Sequence, residues 1–360
     1  MSTHVRVVGT GLIGASLGIA LSRKGFRVSL DDPSPTAVRL ARDLGAGELA
    51  ADSVDAPTVV VVAAPPDVAA DVVLDALKRW PHALVTDVAS VKAAVLEGVR
   101  AGGGDTTRYV GSHPMAGRER SGAMAARADL FHGRAWVVVP NPDSRSDAVE
   151  AVTRIAEAAG AAVTVMDADD HDRAVAVVSH LPQVAASLVA SQLRELGEPS
   201  VALAGQGLRD LTRIAASDPR LWTQILAGNA TAVRDVLHRV QDELTELIGA
   251  LDLLETGGGA GALAVVSRTL GNGNAGQARI PGKHGAAPTA YTTVVVVVPD
   301  RPGALAQLFT DMGNAGVNLE DLHLEHGLGQ PFGLAEVSVL PSAGERLLAV
   351  LSDGGWRVHD

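Results

Sequence analysis

The chain has 360 residues, 47% of them hydrophobic and only 3% aromatic, enough for about two or three cores built of Ala, Val and Leu and too apolar for disorder throughout. A formal net charge of −11 without any dense Lys/Arg stretch sets up no attraction to phosphate backbones, which excludes nucleic acid as a partner. The lack of cysteine removes disulfides, thiolate metal sites and thiol catalysis.

Residues 4 to 165 alternate Val-rich runs with Ala/Leu-rich stretches, the βαβ rhythm of a doubly wound (Rossmann-type) parallel α/β sheet. Strands are expected at Val5–Val8, Arg27–Leu30, Val59–Ala63, Ala83–Asp87, Tyr109–Gly111, Ala135–Val139 and Ala162–Val165, with helices on both faces. The N-terminus enters a strand without an apolar leader, and runs such as Val294–Val298 fall far below the ~20 residues of a membrane helix. A soluble, cytoplasmic protein with no membrane partner is expected. From Ala168 to Glu255 long helical segments follow, Val184–Leu196 and Pro219–Leu254 among them. The second carries a wide apolar stripe through Leu221, Ile225, Val233, Val236, Val240, Leu244, Ile248 and Leu251, which needs a partner surface and points to a homodimer. Residues 256 to 290 are rich in Gly, Ala and Asn and read as an irregular linker. Residues 291 to 360 read as strand, helix, strand, strand, helix, strand, the βαββαβ order of a ferredoxin-like sandwich. The expected domains are therefore 1–167 for a dinucleotide, an all-helical 168–255 for substrate and dimerisation, the linker 256–290, and 291–360.

Gly9-x-Gly11-x-x-Gly14 follows the first strand and opens a helix. In that context the glycines allow a tight turn and close approach of backbone to a pyrophosphate, with Leu12 and Ile13 in the same turn. The second strand ends in Asp31-Asp32. An acidic side chain there, Asp32 by its distance from Gly14, accepts ribose hydroxyls and favours NAD over NADP, while Arg39 and Arg42 keep NADP open. Ala64-Pro65 and the run Val88-Ala89-Ser90-Val91-Lys92 lie at carboxyl ends of strands, and the nicotinamide is expected between them.

Beyond the sheet, His113 could take the proton of an alcohol as its hydride leaves, or simply cap a turn. Arg213, taken alone, reads as a salt bridge to Asp210 or Asp218. His171, beside Asp169, Asp170 and Asp172, reads as the acidic first turn of a helix, and no metal is called for.

Taken together, Ser90 in DVASVK, His113 in GSHPMAGRE, His180 in SHLPQ and Arg213 in GLRDLTRIAASDPRLW resemble the prephenate/arogenate dehydrogenase family of tyrosine biosynthesis, over about residues 4 to 255. The resemblance implies oxidation of the hydroxyl-bearing ring carbon of prephenate, with hydride passing to NAD, loss of CO2 and aromatisation to 4-hydroxyphenylpyruvate. It implies that His113 takes the hydroxyl proton, that Ser90 orients the hydroxyl and the histidine, and that Arg213 holds a substrate carboxylate. By the same resemblance Glu119 and Arg209 form a charged pair near the pocket mouth, Trp222 lies close to the site, and His180 lines or supports it. Gln183 stands where some members carry histidine. Arogenate stays open as an alternative substrate. A β-hydroxyacid-type dehydrogenase would need a lysine on the helical segment, and none lies between Lys92 and Lys283; a non-catalytic NAD and amino-acid sensor would not need Ser90, His113 and Arg213.

Asp300-Arg301-Pro302-Gly303-Ala304-Leu305 together with Gly316-Val317-Asn318-Leu319 resembles an ACT regulatory domain over residues 291–360. That resemblance implies an amino-acid effector, tyrosine by its place as end product, near Asp300, Gly303 and Asn318. A module that has lost its ligand and only dimerises stays open.

Overall fold

The computed structural model describes residues 3–50, 55–117, 122–257, 259–281, 291–326 and 331–359. The chain forms two compact units, residues 1–242 and 243–360.

The first unit opens with β1 (His4–Val8), α1 (Leu12–Arg23), β2 (Arg27–Asp31), α2 (Pro35–Asp43), β3 (Glu48–Leu49), β4 (Val59–Val62), α3 (Pro66–Arg79), β5 (Leu84–Asp87), α4 (Ala93–Ala101) and β6 (Tyr109–Pro114). Then come β7 (Ala135–Val139), α5 (Ser146–Ala158) and β8 (Ala162–Val165). The eight strands lie in the order β3-β2-β1-β4-β5-β6-β7-β8. Val59 and Val61 pack into a core with Leu17, Leu21 and Ile155, whereas Val60 and Val62 pack on the opposite face with Val73, Leu77 and Val95. A strand buried on both faces needs an unbroken apolar run, and the VVVV of β4 supplies it.

The sheet is mixed, not parallel throughout as expected: β6 and β7 pair antiparallel. No crossover helix joins them among the described residues, so the chain turns back beside β6, and β8 then runs parallel to β7 after α5. The two-residue β3, too short to show a period, adds an edge beside β2 that was not expected.

The helical part runs through α6 (Ala168–Val175), a π-type turn (Ala176–His180), α7 (Leu181–Ser191), α8 (Glu198–Val201), α9 (Gln206–Thr212), α10 (Pro219–Gly228) and α11 (Ala230–Glu255). The single helix expected over Pro219–Leu254 is interrupted at Asn229, whose φ of −125° and ψ of 31° leave the helical region. Within the helical stretch Ala168–Glu195 an 18-residue window reaches a mean hydropathy of 1.5, apolar and long enough to cross a membrane, contrary to the expectation that apolar runs are strand-sized. It also carries the buried polar side chains His171, Asp172, His180 and Gln183.

In the second unit, residues expected to be irregular form α12 (Ala260–Gln277), tied to α11 by an ion pair between Arg268 and Glu246. Each Gly costs a helix about 1 kcal/mol relative to Ala, but such a propensity is a weak prior that tertiary contacts override. There follow β9 (Thr292–Pro299), α13 (Ala304–Asn314), β10 (Asp321–His326), β11 (Phe332–Val339), α14 (Pro341–Asp353) and β12 (Arg357–His359). The βαββαβ order is as expected, with an antiparallel sheet β10-β11-β9-β12 and a core of Val294, Val296, Leu308, Met312, Leu347 and Leu351.

Candidate active site

The Gly-rich turn joins β1 to α1 at the carboxyl end of the sheet. Gly9 has φ +96°, and a Cβ there would meet Ala63 O at 2.4 Å; a Cβ on Gly14 would lie 1.9 Å from Gly9 O. Both positions are closed to any side chain. Around Gly11, in contrast, there is nothing within 4 Å of a Cβ, so the turn opens there onto free space. The first intrahelical bond of α1 runs from Ala15 N to Gly11 O, which leaves the amides of Leu12, Ile13 and Gly14 as the unpaired donors of a helix start. Asp32 reaches back to this turn. Its Oδ2 accepts from Thr10 N at 2.6 Å and Thr10 Oγ1 at 2.8 Å, and its Oδ1 from Ser34 N at 2.8 Å. Asp31 instead faces Arg79 at 3.8 Å. A dinucleotide fits this donor set: tight glycine turn, free amides and a carboxylate at the end of β2. Ala64 and Pro65 follow β4, Pro65 as the N-cap of α3.

Buried polar side chains converge from β6 and the helical segment. His113 is buried on β6, opposite Val137 of β7. Its Nδ1 lies 2.9 Å from Nε2 of His171, whose Nδ1 lies 2.8 Å from Asp172 Oδ1. Asp172 also accepts the amides of Lys92 (2.9 Å) and Ala93 (3.0 Å) at the start of α4. Asn229, at the break between α10 and α11, donates to Asp172 O at 2.7 Å and sits 3.2 Å from His180 Nδ1. His180 meets Trp222 edge to face, with centroids 6.1 Å apart. Gln183 is buried and accepts from Ser217 Oγ at 3.4 Å. Ser90 is half-buried just beyond β5, but the partner of His113 is His171. Arg213 and Arg209 are exposed, and Glu119 lies outside the described residues.

Below His113 lies a polar cluster for which no role was read from the sequence. Lys92 Nζ pairs with Asp87 and donates to Ser112 O at 2.8 Å, while Tyr109 OH donates to Asp87 Oδ2 at 2.6 Å. Burial pushes Lys92 below the ordinary lysine pKa and Asp87 opposes that; burial and Asp87 together push Tyr109 well above the ordinary tyrosine value.

Burial, reinforced by His171, Lys92 and His180, holds His113 well below the ordinary histidine pKa. Burial, with His171 adding and Asp172 opposing, lowers His180 to about 4. Both rings are thus neutral at pH 7. Unfolding lets each bind a proton near its ordinary 6.5, so their contribution to stability is complete above that pH and declines as pH falls, through about 4 for His180. Urea unfolding is expected to show stability decreasing steadily from pH 7.5 to 5, with a smaller slope in His180→Gln. Equal slopes in the two proteins would contradict the shift.

Two family models match the chain: prephenate dehydrogenase, nucleotide-binding domain, over residues 17–165, and prephenate dehydrogenase, dimerization domain, over residues 167–256. A probable prephenate dehydrogenase of Streptomyces niveus is 35% identical, over 97% of this chain and 98% of its own. The chain belongs to the prephenate dehydrogenase family. Among its other relatives, a cyclohexadienyl dehydrogenase of Zymomonas mobilis is 30% identical over 69% of this chain and 88% of its own. The crystal structure of prephenate dehydrogenase from A. aeolicus, in complex with hydroxyphenyl propionate and NAD+, matches with a TM-score of 0.67 at 26% identity, covering 78% of this chain and 99% of that one. In this family member the sequence reading missed His171, Asp172 and Asn229. The one available signal was a His-Asp pair at the end of an acidic turn, 58 residues from the ring it touches.

Proposed function

We propose that this protein is an NAD-dependent prephenate dehydrogenase that converts prephenate to 4-hydroxyphenylpyruvate and CO2. The observation that carries this is a buried, neutral His113 at the carboxyl edge of a dinucleotide-type sheet, in a chain related over almost its whole length to a probable prephenate dehydrogenase. NAD, when bound at Gly9, Gly11, Gly14 and Asp32, supplies the hydride acceptor. His113 takes the ring hydroxyl proton; its lowered pKa keeps it unprotonated and ready at neutral pH. Ser90, just beyond β5, orders the hydroxyl, and Arg213 anchors a carboxylate by its bidentate geometry. His180, Gln183 and Trp222 shape the pocket wall, with Arg209 and Glu119 at its mouth. Aromatisation with loss of CO2 drives the reaction, so the chain must supply mainly orientation, a base and an anion site.

Purified protein with prephenate and NAD is expected to form reduced cofactor, faster than with NADP because Asp32 repels a 2′-phosphate. Arogenate is the second substrate to assay, since the Zymomonas mobilis relative is named for cyclohexadienyl substrates generally. No turnover of either by folded protein would sink the proposal. An apolar groove lined by Leu226, Ala230, Val233 and Leu237, together with the match to a dimerization domain, supports assembly as a homodimer.

The C-terminal sheet is proposed to be an ACT domain that senses tyrosine. Gly303, with φ +88°, caps α13 and lines a groove with Arg301, Asp311, Trp356 and Arg357. Asp300 and Asn318 lie off that groove, and Asn318 donates to Glu320 at 3.0 Å. Tyrosine is expected to inhibit the intact enzyme, and Arg301→Ala, in the groove, to weaken inhibition at least about tenfold, a loss of about 1.4 kcal/mol. Equal inhibition of both would place tyrosine at the active site.

A further inference from the structure

The rings of His113 and His171 meet edge to face, with centroids 5.1 Å apart and planes at 70°. Only one hydrogen can lie in the 2.9 Å gap between His113 Nδ1 and His171 Nε2. Its owner is decided one bond further on. The Asp172 carboxylate accepts from two backbone amides, and an ionised carboxylate can only accept, so the hydrogen in its 2.8 Å contact belongs to His171 Nδ1. An uncharged His171 then offers a lone pair at Nε2, and His113 Nδ1 must donate to it. His113 Nε2 is left bare, and the hydrogen bond that the ring makes among the described residues is through Nδ1.

The same argument gives the opposite result at His180. A backbone carbonyl only accepts, so the Asn229 atom 2.7 Å from Asp172 O is the amide nitrogen. That nitrogen also lies 3.2 Å from His180 Nδ1, which must therefore accept and leave the hydrogen on Nε2.

We propose that Asp172 sets opposite tautomers in two histidines: through its carboxylate and His171 it leaves His113 Nε2 bare to accept a proton, and through its carbonyl and Asn229 it arms His180 Nε2–H to donate to a substrate oxygen. His171, Asp172 and Asn229 are positioning residues. The role of the bare Nε2 as base rests on the prephenate dehydrogenase reading; the tautomers themselves do not. When His113 gains the hydroxyl proton at Nε2, its Nδ1 hydrogen can pass to His171 Nε2, which moves the positive charge next to Asp172 with no net change in protons. The groups facing His113 are His171 from α6, Lys92 at the start of α4 and His180 from the π-type turn, and of these only His171 lies within hydrogen-bond reach.

The test is nitrogen NMR on the full-length protein labelled with 15N-histidine at pH 7.5, assigned with His113→Gln and His180→Gln. The expected spectrum shows hydrogen on Nδ1 of His113 and on Nε2 of His180. Hydrogen on Nε2 of His113, or the same tautomer in both rings, overturns the proposal. This readout needs no turnover, so correct tautomers in a protein inactive towards prephenate would discard the functional reading alone. For the kinetic role, His171→Phe is expected to lower kcat by roughly 10²–10⁴-fold with little change in KM, the range of a general base that is no longer held in its working tautomer. His171→Gln, which keeps an acceptor oxygen for His113 Nδ1, is expected to recover at least about tenfold of that loss. Equal losses in the two variants would reduce His171 to packing and overturn its positioning role.

Discussion

Replacing His113 by Asn is expected to lower kcat with prephenate by roughly 10²–10⁴-fold, the usual contribution of a positioned general base. Asn fills less of the site but keeps a polar group on β6, and strand pairing with Val137 does not depend on the side chain. NAD affinity should hold, because Gly9, Gly14 and Asp32 form the turn that would bind it without touching His113. The loss should therefore fall on kcat, and kcat/KM should rise with pH above 8 as hydroxide substitutes for the missing base. Steady-state kinetics with a parallel NAD titration check this. A kcat within about tenfold of the parent, below the ordinary range for a general base, would move that role to another group.

The second large effect concerns stability. Lys92→Met is expected to cost about 3–5 kcal/mol, since breaking a buried ion pair leaves its other charge uncompensated. Asp87 is fully buried, and among the described residues it keeps without Lys92 only the Tyr109 hydroxyl at 2.6 Å and the Ala89 amide at 2.9 Å. Ser112 O would lose the Lys92 donor as well. Methionine approximates the length of the lysine stem, so the loss reflects charge rather than an empty cavity. Adding Asp87→Asn should return part of the stability, because no unpaired charge then remains. Urea unfolding of the single and double variants measures both effects, and a cost under about 1 kcal/mol would mean that the pair behaves as a solvated one.

Local signals carried most of the architecture. Val-rich runs marked β1, β4 and β5, and the glycine turn with Asp32 marked the cofactor end, because backbone needs at those places are met by neighbouring residues. What stayed hidden depended on distant partners. The break at Asn229 satisfies Asp172 and His180, which lie 57 and 49 residues away. His171 follows Asp167, Asp169 and Asp170, which do begin a helix as an acidic turn, with Asp167 capping Asp170 N at 2.8 Å. Only the fold turns the ring inward onto His113. The direction of β7 was equally unreadable, because it is set by a connection whose residues have no strand or helix period.

The extension of β6 beyond its parallel neighbour has a consequence for substrate recognition. Pairing with β5 ends at Gly111, yet pairing with β7 continues through Ser112, His113 and Pro114. His113 thus stands on a ladder that reaches past the edge of the parallel sheet. Its backbone disorder is lost when the protein folds and not when substrate arrives, so binding need not include the roughly 1–2 kcal/mol of ordering entropy that a loop-borne residue would require.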